Sequence, residues 1–245
     1  MSQSKTPILL WDLECTNLNA DFGYILCAGI KELGKGSVKT FSVADYPAYK
    51  KDPTNDKALV KDVRDYLSEA GAFITWYGQR FDQPFLNSRL TYYGLTPLPP
   101  VPHIDGWRIA REKLKLHSNR LASVSSFLQI AEKTPLNGPI WIKASAGDPG
   151  ALKYVIKHCK QDVLVLEQAF EHIKQLATSG PNLSAIKSDG VGMSEQSCPR
   201  CGAAGRMQKR GFKITVAQKS QRYQCQSCGG WSHGRPVSIK GLIAR

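Results

Sequence analysis

The chain has 245 residues, of which 42% are hydrophobic, and 33 Lys+Arg against 20 Asp+Glu give it a net charge of +13. Such a length and apolar content suffice for one large domain or two smaller ones, and the basic excess points to a polyanionic partner, nucleic acid before membrane. No apolar run approaches the ~20 residues of a bilayer span, and the start MSQSKTP has no signal-peptide core, so no membrane partner and a cytoplasmic, intracellular location are expected.

Residues 7–14, PILLWDLE, form the first element. An apolar run of this length, opened by Pro7, reads as a buried strand. Side chains alternate along a strand, so Asp12 and Glu14 share one face. Two carboxylates in an apolar strand repel each other and resist desolvation, a conflict that a divalent cation resolves. Residues 22–33 and 37–43 give a second and a third strand around a turn at Gly34, Lys35 and Gly36. Leu59, Val63 and Leu67 at helical spacing predict a helix over 55–70, stopped by Gly71.

Residues 72–77, AFITWY, read as a fourth, buried strand, and a helix opened by Pro84 follows over 83–93. A fifth strand is expected over 101–104, then basic helical segments to about Ala131. Asp148 is a good N-cap with Pro149 at the first helical position, and Leu152, Ile156, Cys159, Val163, Leu166, Phe170 and Ile173 make one apolar stripe of a long helix. Strands as hairpins and then alternating with helices specify an α/β domain with a mixed sheet. Asp82 falls just past the C-terminal end of the fourth strand, where open α/β sheets place ligands. Asp162 lies four residues after His158, on the same helical face.

The pieces DLE at 12–14, FDQPFL at 81–86 and HCKQD at 158–162 resemble, in order, the three motifs of DEDD-type 3′–5′ exonucleases, which have an RNase H-like fold. The likeness is nearest to the branch containing the proofreading domains of family B polymerases and related small phage and bacterial nucleases, over roughly residues 7–176. It implies a mixed β-sheet flanked by helices, with Asp12, Glu14, Asp82 and Asp162 as catalytic carboxylates holding two Mg²⁺ or Mn²⁺ ions. Asp12 would bridge, Glu14 and Asp162 would serve the nucleophile side, and Asp82 the other ion. His158 would be general base or water-positioner. Two departures stand out. His158 precedes Asp162 by four residues, the spacing of the Tyr branch, whereas the His branch uses five. Tyr77 replaces the Asn that usually stands five before the middle Asp; its ring could stack on a base or simply pack.

The bland alternatives are that Asp82 caps a helix, that Asp162 and His158 face solvent, and that Asp105 makes a structural hydrogen bond. Thr16, Asn17 and Leu18 lie where relatives contact the terminal nucleotide, although turn-forming is an equal use. Arg108, Arg111, Lys113, Lys115 and Arg120 suit a strand channel or a solvated helix face.

Residues 181–245 hold 11 Lys+Arg and two acids, the remainder 22 and 18. The Gly- and Ser-rich stretch 179–197 reads as a linker, with a domain over 1–178 and a small module over 198–245. In that module Cys198/Cys201 and Cys225/Cys228 are two CxxC pairs 23 residues apart, the pattern of a four-Cys zinc ribbon holding one structural Zn²⁺. Short strands are expected over 213–217 and 221–224. Arg210, Lys213 and Arg222, interleaved with Tyr223 and Trp231, suit phosphate contact and base stacking. Cys15, Cys27 and Cys159 are expected as buried free thiols.

The sequence therefore predicts a metal-dependent 3′–5′ exonuclease on nucleic acid, DNA before RNA and single-stranded 3′ ends above all, with replication or repair proteins as further partners. A structure-specific endonuclease using the same acids and a non-catalytic nucleic-acid-binding adaptor are the alternatives.

Overall fold

The computed structural model describes residues 6–130, 138–177, 180–187 and 197–239. Ala131, the expected end of the basic helical run, and residues 178, 179 and 188–196 of the expected linker lie outside them. The chain divides into two units, Thr6–His172 and the residues from Ile173 onward.

The first unit is built on strand β1 (Ile8–Cys15), which pairs antiparallel with β2 (Ile25–Glu32) and parallel with β4 (Ala72–Thr75). The sheet is completed by β3 (Lys39–Ser42) beyond β2 and β5 (His103–Asp105) beyond β4, in the order β3-β2-β1-β4-β5. Helices α1 (Pro47–Lys51) and α2 (Lys57–Leu67) precede β4, and α3 (Asp82–Tyr92) follows it. After β5 come α4 (Gly106–Lys113), α5 (Leu121–Phe127), α6 (Gly138–Ser145) and the long α7 (Pro149–Ile173). The core is continuous: Leu9, Trp11 and Ile25 from the sheet join Leu59 and Val63 of α2 and Val155 and Cys159 of α7 in one cluster.

The boundaries depart from the expected ones where side-chain chemistry interrupts the pattern. The second strand begins at Ile25 rather than at 22: Phe22 N donates to Asn19 O at 3.2 Å in the turn that precedes it, where Gly23 packs closely on Asn17. The fourth strand stops at Thr75, two residues early, because Tyr77 turns to φ 71° and its amide is taken by Asp105. On α7 the buried stripe runs through Val155 rather than Ile156. Helix α6 has no counterpart in the sequence reading.

The second unit holds the short helix α8 (Leu183–Lys187), inside the stretch expected as linker, and an antiparallel sheet. That sheet comprises β6 (Met207–Ile214), β7 (Gln218–Cys225), β8 (Trp231–His233) and β9 (Val237–Ser238), with β7 at its centre. The strand expected over 213–217 is a correction: Ile214 ends β6, and Thr215 to Gln218 make the turn, closed by Thr215 N–H donating to Gln218 O at 2.8 Å. Exposure of nearly every β6 side chain removes the alternation that would have marked it. No helix among the described residues is long and apolar enough to cross a membrane.

Candidate metal centres and active site

On β1 the residues Leu9, Trp11, Leu13 and Cys15 face one side, and Ile8, Leu10, Asp12 and Glu14 the other. Asp12 lies opposite Gly29 in the β1–β2 register. That glycine sits directly under α7: a Cβ on it would meet Val163 Cγ2 at 3.0 Å and Cys159 Sγ at 3.2 Å. The missing side chain lets the helix close on the sheet just where the acids project. Cys159 Sγ accordingly donates to Asp12 O at 3.6 Å.

The packing gathers residues far apart in sequence. Ligand atoms of Glu14, His158 and Asp162 all lie within 4.8 Å of one another, as do those of Asp12, Glu14 and Cys159. His158 Nε2 is 3.9 Å from Glu14 Oε1 and 3.7 Å from Asp162 Oδ2. The spacing of four residues on α7 puts His158 and Asp162 on one face, and both are buried, with 8% and 5% exposure. Glu14 is 8% exposed. Carboxylates this close and this dry repel each other, and a divalent cation held between them would relieve that. The oxygen donors suit a hard ion. Cys159 does not: a hydrogen bond with Cys27 and then burial hold its thiol well above the ordinary value, so it stays protonated.

Asp82 is held beside β1 by another route. Strand β4 pairs with Ile8, Leu9 and Leu10 only, so β1 runs past it. There Asp82, the first residue of α3, accepts from Leu13 N at 2.9 Å and occupies the place a strand would have taken. Burial, opposed by that amide, pushes its carboxyl up to about 7. Asp82 therefore sits beside β1 between Asp12 and Glu14 in register, while its oxygens are outside the two groups of close donor atoms.

The loop that carries Asp82 hangs on Asp105, which accepts from Tyr77 N (2.8 Å), Gln79 N (3.3 Å) and Trp107 N (3.0 Å). This is the structural hydrogen-bonding use anticipated for Asp105. Behind it, His103 donates from Nδ1 to Gln83 Oε1 and accepts at Nε2 from the Thr75 hydroxyl, both at 2.8 Å; burial lowers its pKa to about 4, so the ring is neutral.

Two clefts share Leu18 and Phe81 as lining residues. One of about 550 Å³ is lined by Glu14, Thr16, Asn17, Leu18, Phe81 and Trp141. A larger one, about 710 Å³, is lined by none of the clustered acids, so of the two only the smaller borders the cluster, at Glu14. Leu18, 80% exposed, stands at the rim of both. Thr16 and Asn17 are occupied in shaping the turn, since Thr16 Oγ1 accepts from Tyr24 N and Asn17 Oδ1 from Asn19 N, each at 3.0 Å.

In the second unit Cys198, Cys201, Cys225 and Cys228 present sulfurs all within 4.8 Å. Cys198 Sγ to Cys228 Sγ and Cys201 Sγ to Cys225 Sγ are each 3.8 Å. A tetrahedron with metal–sulfur bonds of about 2.3 Å has edges of about 3.8 Å, whereas a disulfide is about 2.05 Å, so the spacing fits a four-thiolate Zn²⁺ site. Each CxxC is followed by a glycine at positive φ, Gly202 at 81° and Gly229 at 73°, whose amides donate to Cys198 O and Cys225 O. Arg200 N and Ser227 N donate to Cys198 Sγ and Cys225 Sγ at 3.4 Å. Of the expected nucleic-acid contacts, Arg222 lies over Trp231 at 5.4 Å; nearby in sequence Lys219 lies over Phe212 at 3.9 Å. Arg210 and Lys213 are exposed on β6.

A mixed five-stranded sheet flanked by helices, with acids gathered where its central strand meets the last helix, is an RNase H-like architecture. The chain belongs to the RNase H superfamily, whose family model matches residues 9–174. Among solved structures it is similar in fold to a family B DNA polymerase from the hyperthermophilic archaeon Pyrobaculum calidifontis, with a TM-score of 0.52 and 15% identity over 89% of this chain and 34% of that one. The chain thus spans about a third of that polymerase. No curated protein matches.

Sequence reasoning missed Gly29 and Cys159 as neighbours of the acids. Gly29 is invisible to a search for ligating side chains because its contribution is the side chain it lacks. Cys159 carried a signal, standing three residues before Asp162 and hence near its helical face.

Proposed function

We propose that the chain is a metal-dependent nuclease that removes nucleotides from 3′ ends, DNA before RNA, through Asp12, Glu14, Asp82 and Asp162. The observation that carries this reading is the convergence of Glu14, His158 and Asp162 within 4.8 Å, buried, from a strand and a helix 144 residues apart in Glu14–His158 terms of chain position. Asp12, Glu14 and Asp162 would hold two Mg²⁺ or Mn²⁺ ions, with Asp82 completing the set from beside Leu13 N. Such ions, when bound, supply Lewis-acid stabilisation of the charge that develops as a phosphodiester is hydrolysed.

The chain's own groups do the rest. His158 Nε2, flanked by two carboxylates, is placed to accept a proton from the attacking water, and those carboxylates steady the resulting imidazolium. The cleft under Leu18 and Phe81 admits a strand end beside Glu14. The second unit, a zinc ribbon in this reading, holds one structural Zn²⁺ on its four cysteines and contributes Arg210, Lys213, Arg222, Tyr223 and Trp231 to nucleic-acid affinity. The likeness to a DNA polymerase favours DNA as substrate and replication or repair proteins as partners.

The test is a 5′-end-labelled single strand, as matched DNA and RNA, incubated with Mn²⁺. A ladder of progressively shorter products is expected from wild type and none from Asp12→Ala. A single internal cut would replace this reading with an endonuclease, and a bound but intact strand with an adaptor.

A further inference from the structure

Tyr77 adopts φ 71°, a conformation that a bulky L residue takes only at a cost and that clusters at functional positions. Glycine would adopt it freely. The strained residue is nevertheless locked in place: Asp105 accepts its amide at 2.8 Å, and its carbonyl accepts from Arg80 N and Phe81 N at 3.0 and 3.1 Å. The result is a tyrosine ring 40% exposed on the loop that leads into Asp82. Its ring meets Trp107 edge-on, with centroids 4.9 Å apart. Trp107 in turn gathers two cations, the guanidinium of Arg80 at 5.8 Å and that of Arg111 at 5.1 Å. Neither arginine has an ion pair to a carboxylate among those the described residues form. Arg80 also lines the larger cleft, which shares Leu18 and Phe81 with the cleft lined by Glu14.

We propose that Tyr77, Arg80 and Arg111, held by Trp107 and Asp105, form a subsite for the single-stranded region next to the end being processed, with one nucleobase stacked on the Tyr77 ring and its flanking phosphates paired with the two guanidinia. This rests on the nuclease reading and extends it: the loop that places Asp82 also grips the strand, so substrate position and the acid site are set by one rigid turn. Trp107 and Asp105 are positioning residues in this scheme. An exposed aromatic beside two cations matches the chemistry of a single strand, a charged backbone carrying flat bases, and gives no base-edge reading, so sequence preference at this position is weak.

Tyr77→Gly is the informative substitution, because glycine relieves the backbone while deleting the ring. In the full-length protein it is expected to leave Tm unchanged or raise it, yet weaken binding of a fluorescein-labelled single-stranded oligonucleotide by between about 5- and 100-fold, as loss of one stacked base does. Tyr77→Phe should bind like wild type, and Tyr77→Asn, which also tolerates positive φ, like the glycine variant. Arg111→Ala should reduce the salt slope of log K by about 1. Moving one abasic residue along the strand should reveal a single position at which wild type loses affinity and Tyr77→Gly does not. Equal affinity of wild type and Tyr77→Gly, or abasic losses that both share, would overturn the subsite. Because the readout is binding, it is independent of cleavage: a wild type that never shortens the strand defeats the nuclease reading while leaving the subsite to be judged by the abasic scan.

Discussion

In the Thr6–His172 unit Leu10, Trp11, Ile25, Leu59, Phe73 and Leu86 are all but completely removed from solvent. Among the described residues from Ile173 onward the buried ones are Ile173, Leu183, Ser184, Cys198, Ser220, Cys225 and Gly230, so that apart from cysteines only Ile173 and Leu183 bury a sizeable apolar side chain. One unit is therefore held by apolar area, the other by four sulfurs at the spacing of a tetrahedral ion. The contrast extends to chemistry. The large core makes a rigid frame that can force acids together against their repulsion, whereas the small unit, with few buried apolar side chains, would depend on an ion held by its four cysteines to fold.

The sharpest way to break this contrast is to withdraw the Zn²⁺ proposed for the four cysteines. Chelation, or Cys198→Ser, is expected to unfold the second unit, since structural zinc contributes about 10–16 kcal/mol to folding in modules of this kind, and to leave the first intact. Hydrogen exchange should show β6 and β7 amides losing protection while β1 and β2 keep theirs. Retention of protection in β7 without zinc would show a core that its burial does not reveal.

A smaller but still severe effect is expected inside the first unit. Asp56 is 0% exposed and accepts from Arg89 Nη2 (2.6 Å), Tyr93 Oη (2.7 Å) and Ile25 N (2.8 Å). Asp56→Ala strands a buried guanidinium and should cost about 3–5 kcal/mol in a urea melt of the first unit, without touching the second. Gly29→Ala comes next. Its new methyl must displace Val163 or Cys159, costing about 1–3 kcal/mol, and because α7 carries Asp162 it should also slow cleavage. Loss of stability with cleavage unchanged would separate helix packing from the acids.

The smallest effect is one of pH. His103, lowered to about 4 by burial, titrates near 6.5 once unfolded. Above about pH 6.5 the ring is neutral in both states and contributes no pH dependence. Between about 6.5 and 4 the unfolded chain takes up a proton that the folded one refuses, so stability falls with falling pH, by about 1–2 kcal/mol at pH 5. Urea melts of wild type and His103→Gln at pH 7 and 5 should differ in this slope.

Legibility in the sequence followed the same division. Strand β1, helices α2 and α7 and both CxxC pairs could be read because each repeats a short physical rule over several residues. Asp12, Glu14, His158 and Asp162 could be read as partners because an apolar strand does not tolerate bare acids, because a spacing of four aligns two helical side chains, and above all because their pieces resemble, in order, the motifs of a nuclease family. What could not be read depends on residues distant in sequence: Asp105 ending β4 by taking the Tyr77 amide, Asp82 docking on Leu13 where β4 is missing, and Gly29 admitting α7. The strand expected over 221–224 falls within β7, whereas the one expected over 213–217 overruns the end of β6, because side chains with no core to face keep no alternation.

The most direct measurement is the thermal midpoint of the first unit with and without millimolar Mn²⁺, in wild type and in Asp12→Asn combined with Asp162→Asn. If the acids form a cation site, Mn²⁺ raises the wild-type midpoint, as a ligand at about 100 times its Kd does by contributing about 2.7 kcal/mol. The double variant then melts at or above metal-free wild type, relieved of repulsion, and ignores Mn²⁺. A wild type indifferent to Mn²⁺, or a double variant that responds just as strongly, would contradict the account.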